Sequence, residues 1–263
     1  MKHILFFAVI AAVFFTSCKK DNNEYNNNVK GELSIEFDNI VGGQNLALNT
    51  GSYTNASGET YHISMLQYYI SNISLKNANG TVYTVPQDES YFLMEEGNED
   101  RDHASLEVPE GEYSSLTFTV GVDSLRNTKD ISERTGVLDP SGEGSGMYWG
   151  WNSGYIFFKM EGTSESSAED GHQFMFHVGG FGGYSSPTIN NIKTITLDLT
   201  AGGTPKVHMG KETNIHLMAD VSKLFDGGTA VSIADHSTVM FDPFSTTIAN
   251  NYATMFRHDH TEN

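Results

Sequence analysis

Apolar and polar side chains alternate with period two again and again along this chain, and turn residues separate the runs. Leu33, Ile35 and Phe37 alternate in the first run, and Leu116, Phe118 and Val120 do so after the turn at Pro109-Glu110-Gly111. Successive side chains of an extended backbone point to opposite faces, so such a segment buries one face and wets the other. Within 60–77 Tyr68, Ile70, Asn72 and Ser74 alternate with Tyr69, Ser71, Ile73 and Leu75. The hairpin signal Asn79-Gly80 then leads into 81–85. Gly42-Gly43 turns the chain so that 44–48 can pair back, and 91–94 and 104–108 read as short strands around the acidic loop 95–102. Later runs at 172–180, 190–199 and 212–221 are separated by loops rich in Gly, Ser and Pro. Helix signals are few. The best is 245–256, with Ser245 as N-cap and Ile248, Tyr252 and Met255/Phe256 at helical spacing; 222–225 offers one further turn. The pattern predicts an all-β fold, an antiparallel two-sheet β-sandwich of immunoglobulin-like, Greek-key character with one short C-terminal helix. With no internal repeat or linker inside it, 30–263 reads as a single domain.

The N-terminus addresses location. Lys2 and His3 precede an apolar run from Ile4 to Phe15, of signal-peptide length and too short to span a bilayer. Thr16-Ser17-Cys18 follows, small residues before the single cysteine of the chain. The arrangement resembles a bacterial lipobox. The expectation is a signal peptide at 1–17, a lipidated Cys18 anchoring the protein to a membrane, and a polar, Asn-rich tether over 18–29. The outer membrane is the expected location, at its periplasmic face or at the cell surface, and Asp21 soon after Cys18 suits export to the surface.

No second cysteine exists to form a disulfide, so a hydrophobic core must hold roughly 235 residues together. The formal net charge is −18, and loss of Lys2 with the leader makes it more negative. Such a field repels nucleic acid and anionic lipid surfaces, and no nucleic-acid partner is expected.

Both tryptophans lie in 146–162, GMYWGWNSGYIFFKMEG. If that segment is extended, Met147, Trp149 and Trp151 share a face. It reads either as a central core strand or as the seat of a site.

Several chemical motifs fail on their missing parts. The glycine clusters at 142–146 and 179–183 lack a following helix to hold phosphate. Asn98, Asp100 and Asp102 begin like a calcium loop, but His103 replaces the needed Gly and Pro109 the closing Glu. Ser153 is not in a nucleophile elbow, and no acid/base carboxylate pair stands out, so the protein is not expected to be an enzyme. The ten histidines show no metal-ligand spacing. His177 shares a strand face with Gln173 and Met175. His216 and Met218 lie opposite Ile215 and Leu217, on a side expected to face solvent, while His258 and His260 fall in a polar tail expected to be mobile. Imidazole with thioether suits copper better than calcium or magnesium.

The ordered set YHISMLQYYISNISL (61–75), FTVGVDSLRN (118–127), LDP (138–140), the tryptophan segment, FHVGGFGG (176–183) and IANNYATMF (248–256) resembles the MbnP-like family of copper-associated periplasmic proteins, in its Bacteroidetes lipoprotein branch. The resemblance implies a copper-binding β-sandwich in which a dihaem peroxidase-like partner oxidises a tryptophan at the copper site to kynurenine. Carried over, it names His177 in FHVGG as the metal ligand and Trp149 and Trp151 in YWGW as modification or outer-sphere candidates, without choosing between them. No second histidine stands in a matching position, and Gly182-Gly183-Tyr184 replaces a cysteine that some members carry. The alternative is a binding or structural module without metal, displaying the same sandwich to a protein or glycan.

Overall fold

The computed structural model describes residues 26, 28–151 and 154–263; the leader, Cys18, most of the tether, Asn152 and Ser153 lie outside the described residues. Nine longer strands carry the described fold. They are β1 (Lys30–Val41), β2 (Thr60–Asn77), β3 (His103–Pro109), β4 (Gly111–Val120), β5 (Gly154–Thr163), β6 (Gln173–Gly179), β7 (Lys193–Asp198), β8 (Glu212–Asp220) and β9 (Phe256–Glu262). The smaller sheet runs β9-β8-β1, with β3 and the short strand Gln44–Asn45 also pairing with β1. The larger runs β7-β4-β2-β5-β6 and ends on Thr238–Val239.

The alternation seen in the sequence is what joins the sheets. Leu33, Ile35 and Phe37 of β1 and Ile215, Leu217 and Ala219 of β8 are buried against Leu116, Phe118, Phe158, Met160, Phe174 and Phe176 of the larger sheet. Phe37 meets Phe118 edge-on at 5.6 Å, and Phe256 meets Phe118 at 5.1 Å, so aromatic edges and faces interlock across the sandwich. At Gly162 a Cβ would lie 2.0 Å from the His62 carbonyl oxygen and 2.6 Å from the Phe174 ring, so only glycine lets β5 pass there.

Strand direction departs from the expectation in two pairs. β1 and β8 run parallel from Glu32↔Glu212 to Ile40↔Asp220, and β6 is parallel to Thr238–Val239. Side-chain alternation is the same for either direction, so sequence period could not distinguish them.

The C-terminal helix spans Ser245–Tyr252, and the chain after it turns back into β9. Ser245 is the first helical residue, not the cap; Phe244 holds the cap position, its N–H donates to the Asp242 carboxylate at 2.8 Å, and the Ser245 hydroxyl donates to the Asp242 carbonyl at 2.6 Å. Ile248, Ala249 and Tyr252 point into the core, where Tyr252 stacks on Phe158 at 5.4 Å. His258 and His260, expected in a mobile tail, belong to β9, because nine-residue β8 offers that segment a free edge to pair with. His216 is also far from solvated: its side chain is only 14 % exposed.

A second, smaller core lies on the outer face of the larger sheet. Tyr69, Leu93, Tyr155, Ile156 and Phe157 are covered there by Val122, Leu138, Met147 and Trp149 from the long connection between β4 and β5. Polar ties hold that connection down. Tyr155 and Tyr69 donate hydroxyl hydrogen bonds to the carbonyls of Leu138 (2.6 Å) and Val137 (2.7 Å). Asn127 accepts from the Tyr155 N–H at 3.1 Å, and the Arg134 guanidinium sits 4.7 Å over the Tyr148 ring. Among the described residues no helix is long and apolar enough to cross a membrane.

Candidate functional site

The tryptophan segment is not one extended strand. Tyr148–Trp149 pairs back on β5 as Trp149↔Gly154 and Tyr148↔Tyr155, so a tight turn separates the tryptophans. The expectation that Met147, Trp149 and Trp151 share a strand face therefore fails. Gly150 and Trp151 already lie in a turn, so the strand ends at Trp149. Trp149 is buried at 5 % exposure, whereas Trp151 is 66 % exposed. Their rings remain neighbours, with centroids 5.4 Å apart.

Trp149 is seated by a glycine. A Cβ on Gly179 would approach the Trp149 ring to 2.7 Å and the Tyr155 carbonyl oxygen to 2.3 Å. Gly179 ends β6, two residues beyond His177 and on the same outward face, since Phe176 and Val178, which flank His177, face the core. At the strand rise of about 3.3 Å per residue, the two backbone positions are roughly 7 Å apart. The strand thus sets His177 and the glycine that seats Trp149 on one face, two residues apart. Met175 occupies the next outward position in the other direction.

The sequence did not single out the residue that sets the chemistry of His177. Glu161 of β5 is diagonal to it across the β5–β6 pair, and its Oε1 lies 2.8 Å from His177 Nε2. Lys159, directly opposite His177, brings its Nζ to 3.5 Å from the same carboxylate oxygen. Burial pushes the His177 imidazole below its ordinary pKa, against the upward pull of the Glu161 hydrogen bond, and Lys159 adds to the lowering. The ring is therefore neutral near pH 7. A neutral imidazole facing a carboxylate carries its proton on that side, so Nε2–H donates to Glu161 and Nδ1 keeps its lone pair. Histidines that bind metals are oriented by such an outer carboxylate.

Beside this row is a cavity of about 190 Å³ lined by Trp149, Phe181, Tyr184, Thr188 and Phe241. Phe241 packs edge-on against Trp149 at 6.2 Å, and Tyr184 is 81 % exposed at the rim. Among the described residues, no further His, Cys, Asp or Glu joins His177 and Glu161 in a group of metal-binding geometry; such a group occurs on the smaller sheet, from His216, Asp259 and His260.

The MbnP family model matches residues 30–241, which include the whole of the His177–Glu161–Trp149 arrangement. The chain belongs to the MbnP family. Its fold is similar to that of MbnP from Methylosinus trichosporium, with a TM-score of 0.56 over 81 % of this chain and 82 % of that one, at 15 % identity. At that identity the similarity establishes the sandwich and nothing finer. No curated protein matches the sequence. The family match stops at 241, so the C-terminal helix and β9 lie beyond it.

Proposed function

We propose that this MbnP-family protein binds copper in the bacterial envelope, on the outer face of its larger sheet, with His177 as a ligand. The observation that carries the reading is the 2.8 Å contact of Glu161 Oε1 with His177 Nε2, which leaves Nδ1 free to bind a soft or borderline cation. Met175, on the same face, adds a thioether to the neighbourhood. One imidazole is an incomplete copper site. The candidate for the missing donor is the tryptophan next to it. Trp149 lies against Gly179, and opening of its indole by a dihaem peroxidase-like partner, with two equivalents of peroxide as oxidant and hydrolytic loss of C2 as formate, would place an arylamine and a carbonyl near His177. Trp151, exposed beside it, is the alternative target. Lipid on Cys18 would hold the domain at the outer membrane.

The test is copper stoichiometry and intact mass on protein purified from its native envelope. The reading expects copper that is lost in His177→Ala, a mass increment for oxidation at one tryptophan, and one for acylation at Cys18. Absence of stoichiometric copper after reconstitution with Cu(I), and separately with Cu(II), would overturn it.

A second reading is supported by the exposed aromatics. Trp151, Tyr184 and the cavity between Phe181 and Phe241 offer flat apolar rings suited to stacking on a sugar or a partner side chain. Trp151→Ala separates the two readings. It abolishes glycan or protein capture if the aromatics are the platform, whereas His177→Ala abolishes copper binding and leaves that capture intact.

A further inference from the structure

The polar outer face of the smaller sheet, on the opposite side of the sandwich from His177, carries a second arrangement. β8 and β9 pair antiparallel, but the register slips between His216 and Leu217. His216 opposes His260 and Leu217 opposes His258, so Asp259 is an extra residue. A β-bulge sets two residues of one strand against one of its partner and re-aims their side chains. Asp259 and His260 are sequence neighbours that a regular strand would send to opposite faces. Here both turn onto His216.

The resulting geometry is that of a ligand set. The His216 and His260 rings stack with centroids 4.7 Å apart. Asp259 Oδ2 lies 3.7 Å from His216 Nδ1 and 2.9 Å from His260 Nδ1, and one ligand atom from each of the three residues falls within 4.8 Å of the others. With bonds of about 2.1 Å, neighbouring ligand atoms around a zinc ion stand roughly 3.0–3.4 Å apart, so small side-chain rotations close the set. A second observation points the same way. His216 Nδ1 is sealed from solvent and makes no hydrogen bond, a cost that a bound cation would remove. The surroundings favour positive charge too. Glu36 Oε1 and Asp38 Oδ2 stand 3.7 and 3.9 Å from the other nitrogen of His216, while Arg257 is engaged with the second oxygen of Asp259 at 3.2 Å.

We infer that His216, Asp259 and His260 form a binding site for a divalent first-row ion of the zinc(II) class. Two imidazoles and a carboxylate, with no sulfur in the set, suit Zn(II) or its neighbours and disfavour Cu(I). Binding through His260 Nδ1, which faces Asp259 Oδ2, leaves the ring proton on Nε2, where Glu262 Oε1 stands 3.7 Å away. The ion would fasten β9, the edge strand that ends the chain, to β8. The site is independent of the copper reading, since it uses the other sheet and two residues beyond the family match.

Equilibrium dialysis against Zn(II) alone, with the chain carrying His177→Ala, reads this site without the other. One equivalent of zinc is expected. Adding His216→Asn or His260→Asn should weaken it by more than the 10–100-fold typical of losing an outer-sphere partner. Co(II) in place of zinc should give visible ligand-field bands that both variants lose. Hydrogen exchange on the same His177→Ala chain supplies a readout that leaves the site itself unaltered. Zinc should slow the amides of Phe256–Glu262 and leave those of β6 unchanged. Absence of bound zinc, full binding in the folded double variant, or unaltered exchange in β9 would each overturn the inference.

Discussion

Glu161 holds the Nε2 of His177 at 2.8 Å across the diagonal of two neighbouring strands, with Lys159 at 3.5 Å from the same carboxylate oxygen. The contact orients the ring of a half-buried imidazole and favours the tautomer with its proton on Nε2. Glu161→Gln keeps the size but removes the charge that sets that tautomer. Copper affinity is expected to fall 10–100-fold, with the fold retained, when measured by competition with a Cu(I) chelator. Equal affinity in the variant would mean that His177 is not a ligand.

The two tryptophans should separate cleanly in stability. Trp149→Ala empties a buried place in the second core and should cost about 3–5 kcal/mol in chemical denaturation. Trp151→Ala removes an exposed ring whose chief aromatic contact is the Trp149 face, and should cost only about 0.5–1.5 kcal/mol. Equal costs would contradict their different burial.

Gly179→Ala drives a methyl into the Trp149 ring and the Tyr155 carbonyl. Overpacking of this kind costs about 1–3 kcal/mol. The tryptophan emission should shift as the ring is displaced, and copper binding at His177 should weaken with it. A variant with unchanged emission and stability would show that the ring is not seated on this glycine.

Glu59 gives the clearest pH dependence. Only 9 % exposed, its carboxylate accepts from Asn55 Nδ2 at 2.6 Å, the Ile233 and Ala234 N–H groups at 2.6 and 2.9 Å, and the Ser232 hydroxyl at 2.9 Å. Burial raises its pKa, but these hydrogen bonds outweigh it and the net shift is downward. The folded pKa is therefore below the unfolded value of about 4.3. The stability it contributes is complete above that value and is lost as pH falls through the folded pKa. Glu59→Gln should cost about 1–3 kcal/mol at pH 7 and flatten the stability profile below about pH 5. An acid limb identical to that of the parent chain would exclude this role.

Much of the sandwich was legible because its strands obey one rule. Leu33-Ile35-Phe37 and Leu116-Phe118-Val120 alternate because each buries a single face, and any such strand shows it. Ser245 reads as a cap from its residue type, but its hydroxyl donates to the Asp242 carbonyl and the helix begins on it, one residue after Phe244. The segment 258–260 reads as a mobile tail because polar residues on an edge strand resemble a solvated terminus, and only its pairing with β8 reveals the strand. The candidate site was half legible. The pattern of FHVGG and YWGW named His177, Trp149 and Trp151, but Glu161 carried no signal, since outward acidic residues on strands are ordinary.

By itself the sequence determined the secondary structure of the strands, the reliance on apolar packing without disulfides, the family, and the residue types available for chemistry. Those properties follow from local periodicity and composition, which are written along the chain. Only the tertiary structure decided which residues meet. Strand pairing brings Glu161 diagonal to His177, a tight turn buries Trp149 and leaves Trp151 exposed, and a one-residue bulge gathers Asp259 and His260 onto His216. Register and chain reversal are set by long-range packing, where a shift of one residue exchanges the two faces of a strand.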